Sequence, residues 1–379
     1  MATEHDVKDA TPVVVVGGGI AGLATARAML NHDIAVRVLE RRSDSSSEGF
    51  AVNLPGNAVK ALASLGLGDA IERWGHPLRR REYRTDSDRL LFSVDEDAFW
   101  GEAARPRSIR RATLVDMLRG CLGGDVVRYG ADVRSLSVDD DQAKVALVDG
   151  ETLTARLVVA ADGVGSGVRK CLFGDDAGVR HSIISKSSWR FVAPNPGIDC
   201  WTVWAGARGV ILLMPLEGGE VYGWASATRD GATASTDALV ALSESFPTRV
   251  RQAVAAAAVE PGAILHSPLE EVRLPAWSRG RAVLVGDAAH ATAPVWAQGV
   301  ALALEDAIVL AACLSSSSDD AAALAVFEAR RRARVDHVQK MTDAMSKAAK
   351  LPVLVRNLLM PVVGPKRYRQ TYGPLRTEV

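Results

Sequence analysis

The chain has 379 residues, 48% hydrophobic and 24% charged, with 45 basic side chains balanced by 45 acidic ones. That length accommodates two domains, or one large domain carrying an inserted second one, with a sizeable core. A formal net charge of zero gives no long-range steering toward nucleic acid or an anionic membrane, so neither is expected as a partner.

Residues 1–10, MATEHDVKDA, lack the apolar run of a signal peptide and read as a disordered tail, which suits a cytoplasmic protein. Pro12 precedes the valine run Val13 to Val16, and the spacing then switches to that of a helix through GGGIAGLATARAML. A second strand follows in IAVRVLE, ending at Glu40. SDSSSEG at 43–49 is a polar loop, and AVKALASLGL is a short helix closed by Gly66 or Gly68.

From Glu82 to Val94 two strands flank the turn DSD, and a helix starts near Thr113. Strands with a turn at Asp149-Gly150 fill the stretch from Asp125 to Asp162. The texture becomes β-rich between about 176 and 268, with a turn at EGG 217–219 and helices near 236–258. VLVGDAAHATAPVWAQGVALALEDA at 283–307 runs a strand into Gly286 and Asp287, with a helix only after Gln298 and Gly299. SSSSDD at 315–320 can cap the long helix beyond it. LPVLVRNLLMPVVG at 351–364 is shorter than the ~20 apolar residues of a membrane span, holds Arg356 and Asn357, and is expected to pack on the core.

Cys121, Cys171, Cys200 and Cys313 form no C-x-x-C or metal-ligand spacing and read as reduced core thiols, with no metal site.

Gly17, Gly19 and Gly22 between strand and helix, with Glu40 about twenty residues on, form a dinucleotide-binding constellation. The first glycine makes the tight turn, the second admits a pyrophosphate, and the third lets helix and strand pack closely. Helix N–H groups then face the phosphates, and Glu40 can accept from a ribose hydroxyl. This motif alone does not separate FAD from NAD. Two more strands end on turns, at Asp162-Gly163 and Gly286-Asp287, where parallel sheets place ligands.

The segments GGGIAGLA, ERR at 40–42, RSIRRATL at 107–114, ADGVGSGVR at 161–169, LPAWSRGRAVLVGDAAHATAP at 274–294, AQGVALALEDA at 297–307 and FEARRRARV at 327–335 occur together and in order. In them the chain resembles the class A flavoprotein monooxygenases, relatives of para-hydroxybenzoate and salicylate hydroxylases. The resemblance implies an α/β fold: a Rossmann-like FAD-binding domain of the GR2 type with an inserted β-sheet substrate domain and a long C-terminal helix. Residues 1–75, 100–175 and 270–345 would form the FAD-binding domain, 76–99 and 176–269 the substrate domain, and 346–379 a C-terminal helical segment.

By the same resemblance Gly17, Gly19, Ala21, Gly22, Glu40 and Arg41 would hold the ADP part of FAD, with Val133 nearby. Arg111 would reach the phosphate and ribityl region. Gly286 and Asp287 would bind the ribityl and pyrophosphate side, and Asp162-Gly163 would serve FAD and the nicotinamide donor. Pro294 would lie against the flavin ring, and Gly299, Val300 and Ala301 would start the helix facing its N1 and O2 edge. The family usually has Gly-Gln-Gly-x-Asn where this chain has Ala297-Gln298-Gly299-Val300-Ala301, so an asparagine contact is missing.

The implied reaction is hydroxylation of an aromatic or polycyclic phenolic molecule with NADH or NADPH as transient donor and O2, through a flavin C4a-hydroperoxide. Trp189, Trp201, Met214, Trp224 and Trp296 are candidate substrate walls, although tryptophans in strands are more often plain core. Tyr222 and Arg190 are candidate polar contacts, and with Pro294 they complete the catalytic set. His290 is expected to orient its loop rather than act as a base. Epoxidation, N-hydroxylation, oxidative rearrangement or flavin binding without turnover are the alternatives. The absence of W-x-W-x-I-P argues against halogenation. Monomer and homodimer are both compatible with the composition.

Overall fold

The strand Val13–Val16 is buried along its whole length because it is sandwiched on both sides, as all-valine strands in parallel sheets are. It pairs in parallel with Val36–Leu39 on one side and Leu157–Ala160 on the other. Ala282–Leu284 extends the parallel run beyond Leu157–Ala160. The computed structural model describes residues 11–44, 50–138, 142–175, 177–227, 235–260 and 262–379. The tail at 1–10 and most of the serine loop at 43–49 lie outside the described residues.

The first helix, Ile20–Leu30, packs on the helix Gly299–Ser315, and both are buried along much of their length. An antiparallel three-stranded sheet, Val133–Val138, Ala143–Leu147 and Thr152–Ala155, turns at Asp149-Gly150 as expected.

The second large sheet has seven strands, in the order Ile264–Pro268, Ser187–Pro194, Glu220–Ala227, Gly209–Leu216, Trp201–Ala205, Arg80–Thr85, Leu90–Asp95. Side chains alternate between its faces with period two. One face lies under the helices Thr236–Ser243 and Thr248–Ala258 and includes Trp189, Phe191, Trp204 and Leu213. The other includes Tyr83, Trp201, Met214, Tyr222 and Trp224. Trp189 therefore faces away from the other candidate walls, with its indole N–H donated to the Ser235 carbonyl at 3.2 Å. It is a core residue, buried among Phe191, Trp204 and Leu213, and the next residue on the strand, Arg190, points to the opposite face.

Asp319 caps the long helix Asp320–Ala349 through Ala321 and Ala322 N–H. The C-terminal helix Val353–Tyr372 follows. Its stretch at 351–364 does not pack wholly on the core: Leu354, Leu358 and Val362 are 85%, 78% and 77% exposed. Only one side is pinned, with Gly364 so close to Phe92 that a Cβ would stand 2.2 Å from the ring. Of the cysteines, Cys200 and Cys313 are buried, but Cys171 is exposed and Cys121 half-buried, so core packing describes only the first pair.

Candidate active site

The glycine turn separates two constraints. Gly17 has φ +108°, and a Cβ there would lie 2.5 Å from the Ala161 carbonyl oxygen; at Gly22 one would lie 1.9 Å from the Gly17 carbonyl oxygen. Protein packing fixes both. At Gly19 the nearest atom to an added Cβ is Arg111 Nη2, 3.7 Å away, so the protein leaves that space open. Gly19 is also the N-cap of Ile20–Leu30 and gives no side-chain cap, which leaves helix N–H groups for an anion.

The space belongs to a cleft of about 430 Å³ walled by Gly17, Gly19, Glu40, Arg41, Arg111, Val133 and Asp162, among others. Glu40 accepts from Gly18 N–H at 2.7 Å and Arg42 N–H at 3.0 Å. The acid thus braces the glycine turn, and its two oxygens keep lone pairs for a further donor. Arg111 opens the helix Arg111–Gly120, two residues before the predicted start.

Asp162 accepts from Ser166 Oγ at 2.5 Å and Val168 N–H at 3.2 Å. Its carboxylate is thereby engaged in holding the next helix, Gly167–Phe173. Gly163 follows with φ +80° and open space around it. At the other turn, Gly286 (φ +58°) has Ala21 packed 3.1 Å from its Cβ position, which explains a small residue at Ala21. Asp287 begins a short helix, Asp287–His290, that the sequence reading missed.

Asp287 keeps an exposed surface although protein crowds its carboxylate. Desolvation raises its pKa, opposed by His290, Arg111 and Arg190. Its Oδ1 lies 3.6 Å from the Cβ position of Gly299, so the acid meets the N-terminus of Gly299–Ser315. Ala301 is fully buried and Val300 half-buried, which places Ala301 in helix packing.

A buried polar strut missed by the sequence reading holds this corner. Asp306 accepts from Gly286 N–H at 2.9 Å, lies 2.7 Å from His290 Nε2 and receives Arg331 Nε at 2.8 Å. Burial would raise the Asp306 pKa, but His290, Arg331 and the Gly286 N–H hold it far below the carboxylate range. Arg331 and Arg334 also grip Glu305, which accepts from Asn57, and Asn57 in turn bonds Gln298. His290 accordingly ties the loop to Asp306. The one signal available was the paired motifs ALEDA and FEARRRAR, whose charges are otherwise unexplained.

Between the two helices, Pro294–Trp296 forms a 3-10 turn that ends on Ala297 in the left-handed conformation, φ +52°. Tyr372, at the end of the C-terminal helix, donates to the Trp296 carbonyl at 2.6 Å. Tyr372 and Tyr368 also flank the buried pair Arg81–Glu96 (2.8 Å), and the Arg81 guanidinium lies 4.2 Å from the Trp201 ring centre.

On the sheet, Tyr222 pairs with Met214 and Val192, and Trp224 with Arg190 and Leu212. Arg190 donates to Ser267 Oγ at 2.7 Å. Burial pushes the Tyr222 phenol up to about 12, with Arg190 opposing. The indole N–H groups of Trp201, Trp224 and Trp296 are buried without a protein acceptor. The charges of Arg111 and Arg190 both favour the ionised form of Asp287.

Residues 10–345 match the sequence family described as an FAD binding domain. The FAD-dependent urate hydroxylase of Klebsiella pneumoniae is 32% identical over 85% of this chain and 86% of its own. The 2-heptyl-3-hydroxy-4(1H)-quinolone synthase of Pseudomonas aeruginosa is 30% identical over 97% and 98%. The crystal structure of Klebsiella pneumoniae HpxO complexed with FAD and uric acid superposes with a TM-score of 0.83 at 26% identity, covering 97% of this chain and 95% of that one.

Proposed function

The chain belongs to the FAD-binding family of class A aromatic hydroxylases and is an FAD-dependent monooxygenase, and from that premise we propose which molecule it oxidises and which residues do the work. The substrate is a flat, oxygenated aromatic or nitrogen-heteroaromatic ring held between the sheet face and the Pro294–Trp296 turn. The carrying observation is the set of buried indole N–H groups of Trp201, Trp224 and Trp296 that have no protein acceptor, two of them on the sheet face and the third in that turn. The division at residues 76–99 and 176–269, with 346–379 as a C-terminal segment, belongs to this reading.

The residues present fit FAD. The open space before Gly19, with free helix N–H groups and Arg111 beside it, suits a pyrophosphate. Glu40 and Arg41 stand where the adenosine would lie, and Asp287 and Gly299 where the ribityl chain and ring edge would lie. Bound FAD accepts hydride from NAD(P)H and activates molecular oxygen.

The protein supplies orientation and charge. Trp201 and Trp224, with Met214 in the same cluster, offer flat apolar walls. Their unpaired indole donors, with that of Trp296, favour a ring bearing carbonyl or ring-nitrogen acceptors, since buried donors are rarely left unmade. The relatives named for urate and for a quinolone are consistent with such rings. Tyr222 keeps its proton at neutral pH and donates a hydrogen bond rather than acting as a base. Arg190 would stabilise negative charge on the substrate oxygen.

The test is anaerobic mixing of the FAD-loaded protein with NADH and then NADPH, following flavin absorbance with urate-like, quinolone, pyridine and simple phenol compounds. Reduction accelerated by oxygenated heteroaromatics, followed by a hydroxylated product in air, is expected. Acceleration by simple phenols alone would overturn the heteroaromatic preference, and reduction by neither donor would overturn the reaction.

A further inference from the structure

The C-terminal helix Val353–Tyr372 has two unlike faces. Arg356 donates to the Ala205 carbonyl at 2.9 Å, Gly364 lies against Phe92, and Tyr368 bonds Glu96. These contacts pin the inner face along the edge strand Leu90–Asp95, so the outer face is a fixed surface. On that outer side Leu351, Leu354, Val355, Leu358, Leu359 and Val362, with Val363, are all exposed. Their three- and four-residue spacing makes one continuous apolar stripe, and contiguous rather than scattered exposure of this kind marks an interaction site.

The charges within the segment that carries the stripe are of one sign. Residues 344–377 contain no aspartate or glutamate, yet they hold Lys347, Lys350, Arg356, Lys366, Arg367, Arg369 and Arg376. Lys347 and Lys350 lie before the stripe and Lys366 and Arg369 after it, all exposed. The zero net charge of the whole chain hides this segregation. A second copy laid on the stripe in either direction would bring lysines against lysines and arginines. An anionic surface would pair with every one of them.

We propose that this helix docks the enzyme flat on an anionic lipid bilayer. Leu354, Leu358 and Val362 enter the boundary between headgroups and acyl chains, and the flanking basic residues meet the headgroups, the arrangement of an interfacial amphipathic helix. No described helix is long and apolar enough to cross a membrane, so the helix lies on the surface. Docked this way, it sets the edge of the substrate sheet beside the lipid.

The test is flotation of the full-length, FAD-loaded protein with vesicles of phosphatidylcholine alone or of phosphatidylcholine and phosphatidylglycerol in equal parts, at low and high salt. Binding is expected on the anionic vesicles at low salt, falling roughly five-fold for each basic residue changed to glutamine among Lys347, Lys350, Lys366 and Arg369. The triple variant Leu354→Ser, Leu358→Ser, Val362→Ser is expected to retain FAD and its melting temperature and to lose vesicle binding at least ten-fold. No partition into anionic vesicles, or partition unchanged by the triple variant, overturns the proposal. A dimer that the triple variant splits, without vesicle binding, assigns the stripe to a second copy instead.

Discussion

The phenol of Tyr372 donates a 2.6 Å hydrogen bond to the carbonyl of Trp296, so the helix Val353–Tyr372 holds the Pro294–Trp296 turn. Tyr372→Phe keeps the ring packing but leaves that buried carbonyl unpaired. The expected loss is about 1–3 kcal/mol of stability, with a lower ratio of product formed to NAD(P)H consumed because the turn is less firmly placed. Melting temperature and the coupling ratio, measured on the same preparation, check both effects. An unchanged coupling ratio would restrict Tyr372 to stability.

Gly19 and Gly22 respond differently to the same methyl group. Gly22→Ala drives a Cβ to 1.9 Å from a backbone oxygen and is expected to abolish soluble folded protein. Gly19→Ala meets nothing closer than 3.7 Å, and its backbone angles, φ −82° and ψ −172°, are open to any residue. It should fold with near-native circular dichroism and lose bound FAD by at least ten-fold. Full FAD retention by Gly19→Ala would refute the assignment of the pyrophosphate to that space.

The local features of this site were legible because short-range chemistry makes them: the valine strand, the three glycines, the acid at Glu40 and the Asp319 cap. Features set by direction or distance were not. Trp189 and Arg190 were assigned to one pocket although neighbours on a strand point to opposite faces. Residues 351–364 read as core because composition carries no orientation, whereas a helix can bury Arg356 and expose Leu358. Asp306 and Arg331 are separated by a helix–helix crossing that no local pattern reveals.

Asp306 carries much of that corner. Its carboxyl is held below its unfolded value of about 3.9, so it adds stability at every pH above that value and loses the contribution as pH falls further. Asp306→Asn leaves Arg331 buried with Glu305 as its remaining acidic partner, a loss of about 1–3 kcal/mol near neutral pH. The melting difference between wild type and variant should therefore narrow as pH drops below about 4. A difference constant with pH would contradict the ionised Asp306 described here.

Tyr222 and Arg190 are separable by pH. With the phenol pushed up to about 12, Tyr222 gives no titration between pH 6 and about 10. Tyr222→Phe should lower kcat about ten-fold, the loss of one hydrogen bond, without moving any inflection in the pH profile. Arg190→Lys loses the planar fork that reaches Ser267 and should lower kcat/KM by a similar or larger factor. Disappearance of a neutral inflection in Tyr222→Phe would make that phenol a base after all. Both variants behaving as wild type would remove the pair from the site.

Ala297 sits at φ +52° and ψ 36°, a conformation that brings an L-residue's Cβ toward the following carbonyl at about 1–2 kcal/mol. Ala297→Gly removes that strain and loses about 0.5–1 kcal/mol through the freer unfolded chain. The strain is the larger, so the variant is expected to gain up to ~1 kcal/mol and melt about 1–2 °C higher. Ala297→Val should do the reverse, since β-branched residues tolerate this region least. The turn lies between Trp296 and the helix start at Gly299, so the same change relaxes the edge proposed to face the cofactor. FAD affinity should therefore rise or hold in the glycine variant and fall in the valine variant. A lower melting temperature for Ala297→Gly would mean that the alanine methyl packs usefully and that the strain is offset by its neighbours.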